Sequence, residues 1–531
     1  MSYQDPIYLF LLLPFTLIIY QLLNKKYRYL LLLLVSYGFA YLITGKKIII
    51  IAITSAFVYT IGRAIGSVND KCKAEVASAR KDKELKKKIK SIYNKKSKRV
   101  LVFGMVVIIL ILAVLKYCGF FAESVNYVTN LINGSSPIPV VKLLVPIGIS
   151  FYSLQAIGYL TDVYWKKTAP EKNFFKLALF LAFFPTIMEG PICSYVDIKD
   201  KLFSGEDVRS ENLSDGYVRI LWGLFKKIIV ADRLYVIVNT LFDASVNYNG
   251  AYIAIAAIAY TVQLYMEFSG CMDIVIGSAR LFGITLMENF RQPFLAKNAS
   301  EFWRRWHISL GVWFKTYIFY PVSMSKMAKK WKQFGTDKLN KYFTRIGLSA
   351  MALFPVWFCN GLWHGPKWNY IFYGMYYFVI IMLEQIMEPI RNGFTSRFKI
   401  GEKNKIWNGF LLVKTWIIIF TGELFFNASS LKHGFKMFFA MFRDFNLRTF
   451  VDGSIFSLGL GRADLVMAMI GAVVVFVVGI IREKNTDMLG SIRGMKLPVR
   501  WAIYITLIVC VVIFGAYGPG YQEVDLIYAG F

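Results

Sequence analysis

Histidine side chains are the best candidates for chemistry in this chain, because imidazole gains and loses a proton near neutral pH. The sequence has three of them, His307, His364 and His433. His307 lies in EFWRRWHISL and His364 in NGLWHGPKW, each beside tryptophan, whereas His433 follows an apolar run next to Lys432 and is typical of a surface residue. Without a metal, imidazole can take a proton from a hydroxyl and pass it to a leaving group. His364 and His307 are therefore the candidate catalytic residues.

Other kinds of catalytic site find little support. No GxSxG, P-loop or GxGxxG motif stands in a credible setting, and Ser150 has no evident acid partner. The six cysteines are scattered without a CxxC pair, so they predict neither a zinc site nor a disulfide framework. We therefore expect no metal and no permanently bound cofactor. The simplest reaction is direct attack of a substrate hydroxyl on an activated acyl group, with histidine as the base.

The segments that hold these histidines belong to a membrane protein. Hydrophobic residues make up 56% of the 531 positions, mean hydropathy is +0.48, and only 18% of residues are charged. A helix needs about 20 apolar residues to cross the hydrocarbon core, and only helices or closed barrels satisfy their backbone polar groups there. The sequence therefore predicts an all-α polytopic membrane protein. Nearly uncharged runs of suitable length are 7–23, 27–43, 47–65, 100–117, 465–481 and 501–517.

The positive charge predicts orientation and argues against a nucleic-acid partner. The formal net charge is +29, and its densest part lies in 71–99, between apolar runs. Because basic loops stay on the cytoplasmic side, we expect the loop 67–99 and the cluster around Lys25 to be inside. Two crossings separate them, so the N-terminus is predicted to be external. The basic loop would also have some affinity for anionic lipid headgroups.

We interpret residues 1–531 as a single membrane domain with three parts. Residues 1–121 form N-terminal spans around the basic cytoplasmic loop 67–99, and residues 410–531 form C-terminal spans. In 143–389, polar residues, glycine and proline interrupt the apolar segments. Such interruptions occur where backbone is buried in protein or lines a cavity, so this part is the predicted catalytic core. A histidine there can instead be hydrogen-bonded into the core or anchor the interface.

The middle of the chain resembles the membrane-bound O-acyltransferases, and especially the bacterial branch that includes alginate O-acetylation and teichoic-acid D-alanylation proteins. The resemblance covers roughly 100–440 and the C-terminal tail. Three departures, Glu267, the Lys315-Thr316 pair and Asn427, leave both histidines in place and count against alginate as the acceptor. The runs that carry the resemblance are VPIGISFYSLQAIGYLTDVYW, FFPTIMEGPI, GLFKKIIVAD, ENFRQPFLAKNASEFWRRWHISL and GLWHGPKWNYIFYG.

The resemblance implies a ring of about 11–13 transmembrane helices, with re-entrant helices, around a central funnel. His364 matches the family's catalytic histidine, and His307 matches the second histidine of the bacterial branch. The donor would be a cytoplasmic thioester, either acetyl-CoA or an acyl carrier protein. The acceptor would be an extracellular partner protein, polysaccharide or glycopolymer, and the location the plasma membrane. The length and the aromatic tail favour acetyl-CoA.

Residues around the two histidines have expected roles in substrate binding. Arg304, Arg305 and Lys315 could bind donor phosphates, although arginines at a helix end can equally well only set topology. Trp306 is a further candidate for substrate contact.

The residues near His364 have expected roles of their own. Asn360 lies one helical turn before His364 and could orient its ring. Trp363 and Trp368 would exclude water. Gly361 and Gly365 would allow close approach.

Three other functions remain open. The protein could transfer a D-alanyl or other acyl group from a carrier protein to teichoic acid. It could be a non-catalytic acyl channel or scaffold that serves a partner transferase. A secondary transporter would also show broken helices at the midplane, but the two halves show no inverted symmetry and the spans hold few acidic residues.

Overall fold

The computed structural model describes residues 2–79, 82–140, 143, 145–401, 403–485, 487–517, 521 and 524. These residues form helices and loops, with no strand among them. The chain divides into two compact units, Met1–Tyr217 with Val275–Met287, and Val218–Ile274 with Glu288–Phe531. Most of the C-terminal tail that shares in the resemblance lies outside the described residues. The predicted all-helical architecture is confirmed.

The first unit contains seven α-helices of its own within the described residues. They are α1 (Leu13–Leu22), α2 (Arg28–Thr44), α3 (Ile48–Ser78), α4 (Lys83–Asn133), α5 (Ile149–Tyr164), α6 (Phe174–Ala182) and α7 (Tyr195–Leu202). Two helices cross the boundary between the units along the chain, namely α8 (Ser210–Leu224) and α10 (Gly250–Leu281).

The second unit contains α9 and all helices after α10, among them those that hold both histidines. They are α9 (Asp232–Leu241), α11 (Ala299–Arg305), α12 (Ile308–Phe314), α13 (Tyr320–Ser323), α14 (Lys326–Lys338), α15 (Lys341–His364), α16 (Trp368–Ile386), α17 (Glu388–Arg397), α18 (Lys405–Asn427), α19 (Leu431–Arg443), α20 (Arg462–Lys484), α21 (Met488–Arg493) and α22 (Leu497–Phe514).

Seven helical stretches in the described part of the chain are long and apolar enough to cross a membrane, or eight if the bent pair α16–α17 is one span. One of the seven, Lys25–Ser78, contains both α2 and α3, which separate at Gly45 with φ +58°. The first predicted run forms the shorter apolar helix Ile7–Leu22. All six predicted apolar runs are therefore helical. The larger number of crossings implied by the resemblance stays a prediction.

The basic stretch 67–99 differs from its predicted form, because it is almost entirely helical instead of a loop. Helix α3 continues to Ser78, and α4 begins at Lys83, where the Asp82 side chain accepts a hydrogen bond of 2.9 Å from the Leu85 amide. Lysine and glutamate are good helix formers, so a charged run need not interrupt a helix. The 51 residues of α4 extend roughly 75 Å, more than twice the thickness of the hydrocarbon core.

The helices that hold His364 pack through glycine. A Cβ on Gly361 of α15 would lie 2.4 Å from the Tyr370 carbonyl oxygen, and one on Gly374 of α16 would lie 2.2 Å from the Trp357 carbonyl oxygen. Neither position has room for a side chain, so the two backbones are in direct contact. Gly361 therefore serves close helix packing, and this contact fixes the end of α15 against the start of α16.

Candidate active site

His364 is the last residue of α15 and is buried, with 4% of its surface exposed. The helix ends because Gly365 has φ +150°, a conformation that side chains rarely adopt. Aromatic rings surround the imidazole. Its centroid lies 5.1 Å from Trp363, 5.0 Å from Phe426 and 5.8 Å from Tyr373. The edge-to-face contacts with Phe426 and Tyr373 set the orientation of the ring.

A buried carboxylate, that of Glu423, contacts Tyr373, one of the aromatic residues around His364. The Tyr373 hydroxyl donates a hydrogen bond of 2.7 Å to Glu423 Oε1, and Glu423 has no exposed surface. Tyr373 belongs to α16 and Glu423 to α18, so the bond joins the two helices beside His364. One helical turn after Glu423, Phe426 contacts both Tyr373, at 4.8 Å, and His364.

His307 lies at the junction of α11 and α12 and is 3% exposed. Its backbone is left-handed, with φ +47° and ψ +50°, which is strained for a residue with a side chain. Asn289 supports this turn, because its backbone oxygen accepts from the Ile308 amide at 3.0 Å and its Oδ1 accepts from the Ser309 amide at 2.9 Å. The same Oδ1 lies 3.4 Å from His307 Nδ1.

Trp363 lies between the two histidines. Its ring centroid is 5.3 Å from that of His307 and 5.1 Å from that of His364. On another side, the ring of Phe268 meets His307 edge-on at 4.8 Å. The two histidines predicted from sequence are therefore in one aromatic site, and both are buried as expected.

Burial lowers the pKa of His307 to about 3, because a charged imidazolium loses its hydration there. The ring is therefore neutral at physiological pH. A neutral imidazole carries one N–H donor. In the tautomer protonated at Nε2, His307 can donate to a substrate oxygen, whereas in the tautomer protonated at Nδ1 it donates to Asn289. A neutral His307 can form hydrogen bonds and position a substrate, but it does not supply a positive charge.

Buried ion pairs support the helix that carries Phe268. Lys227, with 1% of its surface exposed, lies 2.6 Å from Asp232 Oδ1 and 3.4 Å from Glu267 Oε1. Lys226 pairs with Asp273. Both lysines lie in a π-helical turn, Phe225–Ala231, whose wider winding turns two successive side chains inward. Lys226, Lys227 and Asp232 of GLFKKIIVAD thus stabilise the packing of the helix that carries Phe268.

The three basic residues predicted to bind the donor have different surroundings. Arg305 forms salt bridges with two carboxylates, those of Glu301 and Glu483, each with an N–O distance of 3.0 Å. Arg304 is exposed and has no carboxylate partner among the described residues. Lys315 is also exposed, with its Nζ 5.8 Å from the centroid of Tyr320. Arg304 and Lys315 therefore remain available to a phosphate, whereas Arg305 holds α11 to α20.

Of three other predicted roles, two change in the structure. No hydrogen bond joins Asn360 to His364 in the described residues, although Asn360 is buried and its Oδ1 accepts none. Trp368 is 54% exposed and cannot wall off water as expected, because it opens α16 at the surface. Trp306 is buried in a stack with Phe302 at 5.4 Å, and its contact with a substrate stays a prediction.

His433 is the third histidine of the sequence. His433 is partly exposed on α19, and its Nδ1 lies 3.0 Å from Ser429 Oγ, which agrees with a surface role. Among the described residues, no group of three or more His, Cys, Asp or Glu side chains could hold a metal ion.

Sequence reasoning missed Glu423, Tyr373 and Asn289. Glu423 could have been found, since it is an acidic residue within the apolar segment IIIFTGELFF, where a charge is costly and usually has a purpose. Tyr373 and Asn289 carry no comparable signal. Their roles depend on which helices pack together.

The arrangement can perform acyl transfer. His364 is placed to act as a base, and His307 to hold a carbonyl oxygen or an acyl group. Aromatic rings around the histidines would limit the access of water, which hydrolyses an activated acyl group. Nucleophilic serine or cysteine is not required for this chemistry.

Comparison with known proteins also indicates acyl transfer. Residues 170–336 match the membrane-bound O-acyltransferase family, MBOAT. The chain is 31% identical over 442 residues to the probable alginate O-acetylase of Pseudomonas putida, which covers 83% of this chain and 80% of that protein. It is 26% identical over 369 residues to the peptidoglycan O-acetyltransferase of Helicobacter pylori, with 64% of this chain and 63% of the relative covered.

A third relative represents the D-alanylation branch. The teichoic acid D-alanyltransferase of Bacillus subtilis is 26% identical over 294 residues, covering 54% of this chain and 70% of that protein. The aligned share of the chain is thus greater for the O-acetylases than for the D-alanyltransferase.

Proposed function

This chain belongs to the membrane-bound O-acyltransferase family and is an O-acyltransferase, and we propose that it moves an acetyl group from a cytoplasmic thioester to a cell-surface polysaccharide or other glycopolymer. The observation that carries the proposal is His364, buried at the end of α15 against Trp363, which also contacts the second histidine. The donor would be acetyl-CoA, and the acceptor an extracellular hydroxyl or a partner protein that carries the group onward.

His364 acts as the general base. It removes the proton from the acceptor hydroxyl as that oxygen attacks the thioester carbonyl carbon, and a tetrahedral intermediate forms. The carbon–sulfur bond then breaks, and the imidazolium returns the proton to the thiolate. The products are the acetyl ester and the free thiol. A positioned base of this kind contributes about 10²–10⁴-fold to the rate.

His307 holds the donor in this mechanism. As a neutral imidazole protonated at Nε2, it can donate a hydrogen bond to the carbonyl oxygen as negative charge develops there. The left-handed backbone at His307 and the hydrogen bonds by which Asn289 supports this turn keep the ring in one position. Arg304 and Lys315 offer exposed positive charge to donor phosphates.

The names of the relatives support a glycopolymer acceptor. The similarity to O-acetylases extends over more of the chain than the similarity to the D-alanyltransferase, and this favours acetyl transfer. The departures at Lys315-Thr316 and Asn427 argue for an acceptor other than alginate. We also propose the plasma membrane as the location, with the N-terminus outside and the basic helical ends of α3 and α4 in the cytoplasm.

Purified protein in liposomes tests the donor. Acetyl-CoA and a D-alanyl carrier protein are supplied in parallel, and thiol release is measured with and without soluble oligosaccharide acceptors. We expect thiol release from acetyl-CoA and ester formation on an acceptor. Turnover of the D-alanyl carrier alone would establish the alternative, teichoic-acid D-alanylation. Passage of the acyl group without any bond cleavage would establish a channel.

A further inference from the structure

We propose that Glu423 is a positioning residue, which acts through Tyr373 to hold the imidazole of His364 in its reactive orientation. The inference rests on the proposed function, because it assigns a supporting group to the same histidine. It concerns a carboxylate that the mechanism above does not use.

Glu423 is one of the buried acids in the described part of the chain. It has no exposed surface and lies inside the apolar helix α18, yet no salt bridge pairs it with a cation in the described residues. Its Oε2 has no hydrogen-bond partner there either, while Oε1 accepts from Tyr373. By contrast, the buried Glu267 pairs with Lys227 at 3.4 Å. An acid kept in an apolar interior without a cation is costly, so a structural ion pair does not explain it.

The contacts of Tyr373 explain how Glu423 reaches the histidine. The Tyr373 ring meets His364 edge-on at 5.8 Å and Phe426 at 4.8 Å, and Phe426 meets His364 at 5.0 Å. The three rings therefore touch one another. The hydrogen bond to Glu423 fixes the Tyr373 hydroxyl to α18. It therefore also fixes the aromatic ring that packs against the imidazole. Loss of the bond would remove this link between Tyr373 and α18 and leave the imidazole more than one orientation.

A different bond already holds the two helices together. Asn369 Nδ2 of α16 donates to the carbonyl oxygens of Phe425, at 3.1 Å, and Ala428, at 2.7 Å, near the end of α18. The Glu423–Tyr373 bond is therefore not needed merely to join α16 to α18. Its particular effect is on the ring next to His364.

Tyr376 provides a matched control. It lies on the same helix, and its hydroxyl donates a bond of 2.8 Å to the Ile418 carbonyl oxygen on α18. This bond is similar in length to that of Tyr373 and joins the same helices. No ring contact between Tyr376 and His364 is present in the described residues.

The experiment measures thiol release from acetyl-CoA by the full-length protein in liposomes. Glu423→Leu and Tyr373→Phe should each lower kcat about tenfold or more, the loss expected for one buried hydrogen bond, with KM for the donor unchanged. The double variant should lose no more than either single variant, because both remove the same bond. Glu423→Gln keeps an acceptor oxygen and should restore most of kcat. Tyr376→Phe should have kcat near the wild type.

Other results would overturn the inference. These are additive losses in the double variant, a change in KM alone, or an equal loss in Tyr376→Phe. Equal thermal unfolding temperatures show that the variants are folded. If Glu423→Leu does not fold, Tyr373→Phe and Glu423→Gln still give the comparison. An active His364→Ala protein would instead refute the proposed function, so the two failures are distinguishable.

Discussion

His307 and His364 are both buried in aromatic surroundings, but they have different tasks in the proposed mechanism. His364 must accept a proton and give it back, whereas His307 needs only an N–H donor. Burial lowers the pKa of His307 far below physiological pH, so the ring stays neutral and can supply that donor.

The first prediction follows from this difference. His307→Gln keeps an N–H donor and should retain more acetyl transfer than His307→Ala, which we expect to lose about tenfold or more in kcat. Steady-state kinetics at pH 7 on both variants would measure the ratio. Equal activity of the two variants would contradict a donor role, and a larger loss than at His364 would reverse the two assignments.

The two arginines before His307 should respond differently to substitution. Arg304→Gln should raise KM for acetyl-CoA, and the effect should shrink as salt rises, because exposed charges are screened. Arg305→Gln should instead lower the thermal unfolding temperature, since it leaves Glu301 and Glu483 without their partner. An unchanged KM and salt dependence in Arg304→Gln would show that Arg304 only sets topology.

At the scale of elements, the site depends on how closely α15 and α16 approach. Gly361→Ala places a methyl group 2.4 Å from the Tyr370 carbonyl oxygen, so the helices must separate. We expect a loss of about 1–3 kcal/mol in stability, as for other overpacked sites, together with lower activity.

Gly409 is the matched control for this substitution. It lies within α18, and a Cβ there meets nothing within 4 Å. Gly409→Ala should therefore be neutral or slightly stabilising, since alanine is the better helix former. Thermal unfolding of Gly361→Ala and Gly409→Ala in detergent would measure the difference in stability. Equal stability of both would contradict the contact between α15 and α16.

Most of the helices could be predicted from sequence, because long apolar runs leave no other structure in lipid. The burial of His307 and His364 could also be predicted from their flanking residues. Glu423 and Tyr373 were missed because their pairing depends on α16 packing against α18. Likewise, the pairing of Arg305 with Glu483 could not be predicted, because Glu483 lies far along the chain on α20, whereas the other partner of Arg305, Glu301, stands one helical turn before it. Trp368 follows His364 closely, yet the break at Gly365 places it at the surface.

For the whole molecule, the two ends of α4 provide a test of orientation. The helix is continuous from Lys83 to Asn133, so a crossing places its ends on opposite sides. A cysteine at Lys88 should be protected from an impermeant reagent added to intact cells, and a cysteine at Ser136 should be labelled. Labelling at position 88 from outside would reverse the predicted topology.

The central claim is that His364 is the base for acyl transfer. Its most direct test is the rate of acetyl transfer by purified His364→Ala protein in liposomes, measured beside donor binding and thermal unfolding. We predict a loss of about 10²–10⁴-fold in kcat, with donor binding and unfolding temperature as in the wild type. Wild-type turnover by the folded variant would contradict the account.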